Sequence, residues 1–118
     1  MKETIASIIK WHEQTFPYAT LEGQEQKWED ERLEWENASS RTPDELLELA
    51  DMVIVCCGIM RFDYANGFNY LSVTLGKLYF TPFDGEQLWN AVEKKMQINR
   101  QRKWGIGKGN YQHIEEGE

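Results

Sequence analysis

The stretch from Thr42 to Met60 constrains the fold more than any other part of this chain. Leu46, Leu47, Leu49, Ala50, Met52, Val53, Ile54, Val55, Ile59 and Met60 cover nearly every direction around a helix, leaving no face for water. Such a helix belongs at the centre of a domain, with other elements packed around it. Its start is marked by Thr42 as N-cap, Pro43 at the first helical position and the acids Asp44 and Glu45 in the first turn. It is expected to end at about Arg61 or Tyr64, before Asn66-Gly67. Only Glu48 and Asp51 interrupt the apolar run, and at a spacing of three they are neighbours on the helix surface. A buried lone carboxylate costs several kcal/mol unless something compensates it.

The rest of the chain supplies helices to surround that centre. Ile5, Ile8, Ile9 and His12 recur at helical spacing, and this first helix should stop near Phe16-Pro17, because a residue before proline is pushed out of the helical region. Thr20 is the N-cap of a second, polar helix expected to reach about Ala38 and to close through the Asn37-to-Arg41 turn. Phe68 to Lys77 suits either a strand or a helix, and a short helix is favoured. Asp84-Gly85-Glu86-Gln87 is a capping box that opens a last long helix through about Gln101. After Trp104, Gly105, Gly107 and Gly109 suggest a loop. With no convincing strand pair, the expected class is all-α, a four-helix bundle with an added short element between the third and last long helices, and residues 1–118 as a single domain.

The formal net charge of −7 argues against a surface built to grip a nucleic-acid polymer, which needs Lys and Arg to neutralise phosphates. The charges are also segregated. Eleven of the twenty acids fall between Glu22 and Asp51, whereas Lys94, Lys95, Arg100, Arg102, Lys103 and Lys108 form a basic run without an acid among them. That run either complements a helix C-terminus or faces an anion held at the acidic end. Cys56 and Cys57 lie inside the apolar run, where they act as small hydrophobes. The longest apolar run, Met52 to Met60, is less than half a membrane span, and the N-terminus does not read as a signal peptide. A reduced, cytoplasmic protein without a membrane partner is expected.

The acids of the second helix sort by direction. At steps of about 100° per residue, Trp28, Glu31, Trp35 and Ala38 share a stripe with Glu34 on its edge, whereas Glu29, Asp30 and Glu36 point elsewhere and fit a solvated face. The pairs are then Glu31-x-x-Glu34 on one helix and Glu48-x-x-Asp51 on the next, joined by a short turn. All four carboxylates can converge. Four like charges at close range repel, so either some hold protons or a divalent cation sits among them. Oxygen ligands without His or Cys favour Mg²⁺, with Mn²⁺ as the alternative. The bland alternative is a set of surface acids paired with Lys27, Arg32 or Arg41. On the last helix Lys95, Asn99 and Arg102 recur at i, i+4 and i+7, continuing the stripe of Leu88, Ala91 and Val92, and their donors suit phosphate oxygens. Trp11, Phe16 or Trp28 could stack on a base, although each also suits a plain core. His12 and His113 do not form a convincing metal pair. There is no phosphate-binding Gly-x-x-x-x-Gly-Lys loop and no Glu-x-x-His motif of a di-iron bundle.

Asp30-Glu31-x-x-Glu34 followed by Glu48-x-x-Asp51 resembles the signature of the MazG-like all-α nucleoside triphosphate pyrophosphohydrolases. Trp11 with Thr15-Phe16-Pro17, the segment Lys95-Met96-Gln97-Ile98-Asn99-x-x-Arg102-x-Trp104, and Tyr111-x-His113-Ile114 are similar to the dATP/dGTP diphosphohydrolase (MazZ-type) branch, often carried by phages. Phe68 to Phe83 departs from that pattern, being longer and more aromatic. The resemblance implies hydrolysis of a (deoxy)nucleoside triphosphate, dGTP or dATP, to the monophosphate and pyrophosphate. It further implies Mg²⁺ held by the catalytic carboxylates Glu31, Glu34, Glu48 and Asp51, with Glu31 nearest the attacking water. Lys95, Asn99 and Arg102 would hold phosphates and Trp11 the base, in a homodimer or homotetramer. The rival from another class is a non-catalytic acidic helical adaptor that binds a protein partner.

Overall fold

Burial of the apolar third helix organises the molecule. The computed structural model describes residues 2–37, 42–107 and 110–114. They form α1 (Ile5–Thr15), α2 (Leu21–Asn37), α3 (Pro43–Phe62), α4 (Tyr64–Leu78) and α5 (Gly85–Gln101), followed by strands β1 (Lys103–Gly107) and β2 (Asn110–Ile114). The class is all-α with one small hairpin appended. α3 is the hub, packing against α1, α2, α4 and α5. Leu49, Ala50, Met52, Cys56, Cys57 and Ile59 on this helix are wholly inaccessible to solvent. The two cysteines are free thiols, and burial pushes both up to about 12. No helix among the described residues is long and apolar enough to cross a membrane.

Local chemistry explains the helix ends. Thr20 Oγ1 accepts from the Gly23 N–H at 3.0 Å, as an N-cap should. Pro43 opens α3 behind an extended Thr42, and Asp84 with Gln87 forms the expected capping box of α5. α1 has a box of its own between Thr4 and Ser7, and ends at Phe16, whose N–H reaches the His12 carbonyl at 2.9 Å. α2 extends to Asn37; Ala38 and the turn through Arg41 lie outside the described residues.

Two expectations are corrected. α3 ends at Phe62, within the expected bounds, but the next helix starts at once: the Asp63 carboxylate caps it by accepting from the Asn66 N–H at 3.1 Å, and α4 runs for 15 residues through Asn66-Gly67 instead of being a short helix within Phe68 to Lys77. Gly67 serves close packing. A Cβ there would lie 2.5 Å from the Met60 backbone nitrogen, so a side chain would push α4 off α3. The tail is also not a loop. β1 and β2 pair antiparallel, with Trp104 opposite His113 and Ile106 opposite Tyr111. The glycines alternate with Trp104 and Ile106, the period of a strand, and the pairing that stabilises them comes from residues further along the chain. β2 also approaches α2.

Candidate active site

Antiparallel packing of α2 on α3 brings the two acid pairs together. Glu31, Glu34 and Glu48 each place a carboxylate oxygen within 4.8 Å of the others. Asp51 stands beside this cluster and faces Lys95 of α5, Oδ2 to Nζ at 3.1 Å. Lys27 approaches the cluster from the side, 3.9 Å from Glu31 Oε1.

The cluster is under-compensated. Oε2 of Glu31 and Oε2 of Glu48 are buried and accept no hydrogen bond among the described residues. Burial, reinforced by the charges of Asp51 and Glu34, lifts the Glu31 carboxyl to about 8 against the partial relief of Lys27. Burial and the same two neighbours lift Glu48 to about 7. Burial also raises Asp51, opposed by the Lys95 ammonium. Ordinary carboxyl groups ionise near 4.5, so near neutrality the cluster either retains protons or requires a cation. The donors are carboxylate oxygens alone, and two of them lack a partner. This set fits a hard divalent cation of the Mg²⁺ or Mn²⁺ type.

The outward acids behave differently. Arg32 binds Glu29 and Glu36 on the solvent side of α2, and Asp30 accepts from Gln26 at 3.1 Å. Arg32 is therefore turned away from the cluster, and Lys27 is near it. Arg41 lies outside the described residues.

A cavity of about 590 Å³ adjoins the carboxylates, and all eight residues expected at the site line it: Trp11, Glu31, Glu34, Glu48, Asp51, Lys95, Asn99 and Arg102. Asn99 is buried in the α5 wall, where its carbonyl accepts from Trp104 Nε1 at 3.2 Å. Arg102 caps the C-terminus of α5 at the exposed rim. Lys108 lies outside the described residues, as does the side chain of His113.

The aromatic candidates divide. Trp28 is core, its indole N–H donating to Thr74 at 3.0 Å, with Tyr70 edge-on at 4.9 Å. Trp11 and Phe16 are also buried, yet both reach the cavity wall, where they pack edge-to-face with Trp104 at 6.2 and 5.0 Å. Sequence reasoning missed two polar members of that end, His12 and Gln24. Extending the stripe of Trp28, Glu31 and Trp35 back one turn arrives at Gln24, which is the signal that could have found it.

No protein-family model, curated protein or solved structure matches the chain.

Proposed function

We propose that this cavity hydrolyses a nucleoside triphosphate to its monophosphate and pyrophosphate with the help of Mg²⁺, or Mn²⁺ in its place. One observation carries the proposal: a carboxylate cluster with unpartnered buried oxygens opens into a cavity whose other walls are cationic and aromatic. That combination suits a ligand with a polyanionic end and a flat end. Glu31, Glu34 and Glu48 would hold the cation, with Asp51 completing the set from beside Lys95. When bound, such an ion neutralises phosphate charge and lowers the pKa of coordinated water.

The remaining work falls to the chain itself. Lys95, Asn99 and Arg102 offer ammonium, amide and guanidinium donors to phosphate oxygens along one face of α5. The Lys95–Asp51 pair ties that face to α3, so donors and acids keep a fixed separation. Glu31, which buries an unpartnered oxygen at the cluster, is the carboxylate that would stand nearest the attacking water. Trp11 offers an aromatic edge to the base.

Mixing the protein with dGTP or dATP and Mg²⁺ should release pyrophosphate and monophosphate. Release of free phosphate and diphosphate instead would move the reaction to a different bond, and no product from any triphosphate would defeat the proposal. A non-catalytic adaptor is the second reading, favoured by the exposed apolar surface of α4 and the turn after it: Phe68, Val73, Leu75, Tyr79 and Phe80. The same surface is where an expected homodimer or homotetramer would pair. The adaptor predicts no Mg²⁺ effect on melting temperature and full tolerance of Glu48→Ala.

A further inference from the structure

Three of the four expected carboxylates form the cluster, and the fourth is engaged elsewhere. Glu31, Glu34 and Glu48 bring oxygens within 4.8 Å of one another, and Asp51 is not in that set. Its Oδ2 instead accepts from the Lys95 ammonium at 3.1 Å. Both side chains are largely withdrawn from water, Lys95 at 21% and Asp51 at 23% exposure. The other cation at the cluster is a looser neighbour. Lys27 stands 3.9 Å from Glu31, beyond hydrogen-bonding distance, and is 39% exposed.

A hard divalent cation gains from each further carboxylate oxygen it draws in, and Glu31 and Glu48 already bury oxygens with no donor among the described residues. Asp51 is the nearest reserve, three residues from Glu48 on the same side of α3. Lys95 holds it. An ammonium and a divalent cation repel each other when both approach one half-buried carboxylate, so they compete for Asp51. The member able to move is the lysine, whose ammonium rides on a flexible four-carbon stem, whereas Asp51 is short and sits on the central helix. The ion pair is not the only tie between α5 and α3. Leu88, Val92 and Met96 are buried in the shared core, so the two helices keep their separation when the ammonium swings away.

The cavity gives the displaced ammonium a destination. Asn99 and Arg102 follow Lys95 at i+4 and i+7 and line the same cavity wall. We propose that Lys95 is an exchangeable counter-ion: a divalent cation draws Asp51 into the set of Glu31, Glu34 and Glu48, and the displaced ammonium turns to an anion held beside Asn99 and Arg102. Cation and anion then support each other. An anion that draws Lys95 away from Asp51 raises the affinity for the cation by the same factor as the cation raises the affinity for the anion. The inference rests on the reading of the cavity as a metal and triphosphate site, and deepens it by linking the two halves through one side chain.

Calorimetric titration with Mg²⁺ tests the exchange on the wild-type chain, Lys95→Met, Asp51→Asn and the double variant. Lys95→Met should tighten Mg²⁺ about tenfold, the gain expected when Lys95 leaves Asp51 free in about one molecule in ten. In the Asp51→Asn background the same substitution should change the affinity by less than about twofold, because the contested charge is gone. Unchanged or weaker binding by Lys95→Met would overturn the inference. An equal gain in both backgrounds would overturn it too, since Lys95 would then act only as a distant charge. A second measurement needs no variant. Acetylation of Lys95 by an amine-directed reagent, read by mass spectrometry, should quicken several-fold on adding Mg²⁺. The internal standard is Lys77, which sits 4.7 Å over the Trp35 ring and outside the cavity wall. A Lys95 rate indifferent to bound Mg²⁺ would overturn the exchange. The two readings fail separately: Mg²⁺ uptake without the Lys95 effects removes the exchange and leaves the metal site standing. Absence of Mg²⁺ and Mn²⁺ uptake by all four proteins removes the metal site itself, and the exchange with it.

Discussion

The two ends of the cavity bury polar groups in opposite ways. At the aromatic end His12 has a partner on each ring nitrogen, and Gln24 and Arg61 complete a relay whose donors and acceptors match. At the acidic end Glu31 and Glu48 each bury an oxygen that meets no donor among the described residues, and Asp51 and Glu34 add charge of the same sign. A satisfied buried network holds its members in one geometry. An unsatisfied one stores unfavourable free energy that a cation or a proton can relieve. The same helix, α2, contributes to both, with Gln24 at one end and Glu31 at the other. One end is therefore satisfied by the protein's own groups, and the other leaves buried charge that a proton or a cation would relieve.

The largest effect that could break this contrast concerns catalysis. Glu48→Gln should reduce Mg²⁺-dependent pyrophosphate release by about a thousandfold or more while the helical circular-dichroism signal is retained, because it removes one charge from the set proposed to hold the ion. Near-normal turnover would mean that the acidic end is ordinary surface.

Stability should respond with opposite sign at the two ends. With metal chelated at pH 8, Glu31→Gln should raise the melting temperature by roughly 5 °C, the scale of about 1–2 kcal/mol, since an uncompensated charge is removed. Gln24→Leu, which leaves the buried His12 N–H without an acceptor, should cost about 1–3 kcal/mol in denaturant unfolding. Matching signs would erase the distinction.

The pH profile sharpens the same point. Glu31 and Glu48 bind protons more tightly folded, at about 8 and about 7, than their ordinary 4.5. Their protonated forms therefore favour the folded state; that contribution is fully present below 4.5 and is lost as pH rises through 7 and 8. Melting temperature in chelator should fall over this window. Added Mg²⁺ should reverse the fall, and its affinity should rise with pH because it displaces protons from the same oxygens. A flat profile in chelator would indicate well-compensated acids. The smallest effect is expected from Gly58→Ala, whose Cβ would press on the His12–Gln24 contact and cost about 1 kcal/mol in denaturant unfolding, the scale of a weakened rather than lost hydrogen bond.

Much of the acidic end was legible in the sequence because helix periodicity is local. Glu31 and Glu34 share a stripe with Trp28 and Trp35, and Glu48 and Asp51 interrupt an apolar run, so their convergence needs only two helices packed antiparallel. The pairing of Arg32 follows the same local rule: Glu29 and Glu36 flank it at i−3 and i+4 and draw it outward, away from the cluster. Asn66-Gly67 reads as a turn by composition, yet Asp63 supplies the break and Gly67 the close approach to Met60. The hairpin was missed because strands draw their hydrogen bonds from distant residues.

The sequence by itself determined that α3 is buried, where α2, α3 and α5 begin, and that the acids and the cations each share a stripe of their own helix, since each follows from spacing within one helix. Only the tertiary structure decided that Asp51 faces Lys95, that His12, Gln24 and Arg61 join end to end, and that Trp104 packs edge-on against Trp11 in the cavity wall. Those contacts join different elements. Their hydrogen bonds and packing depend on which face of each helix meets which neighbour, and no periodicity within a single segment encodes that.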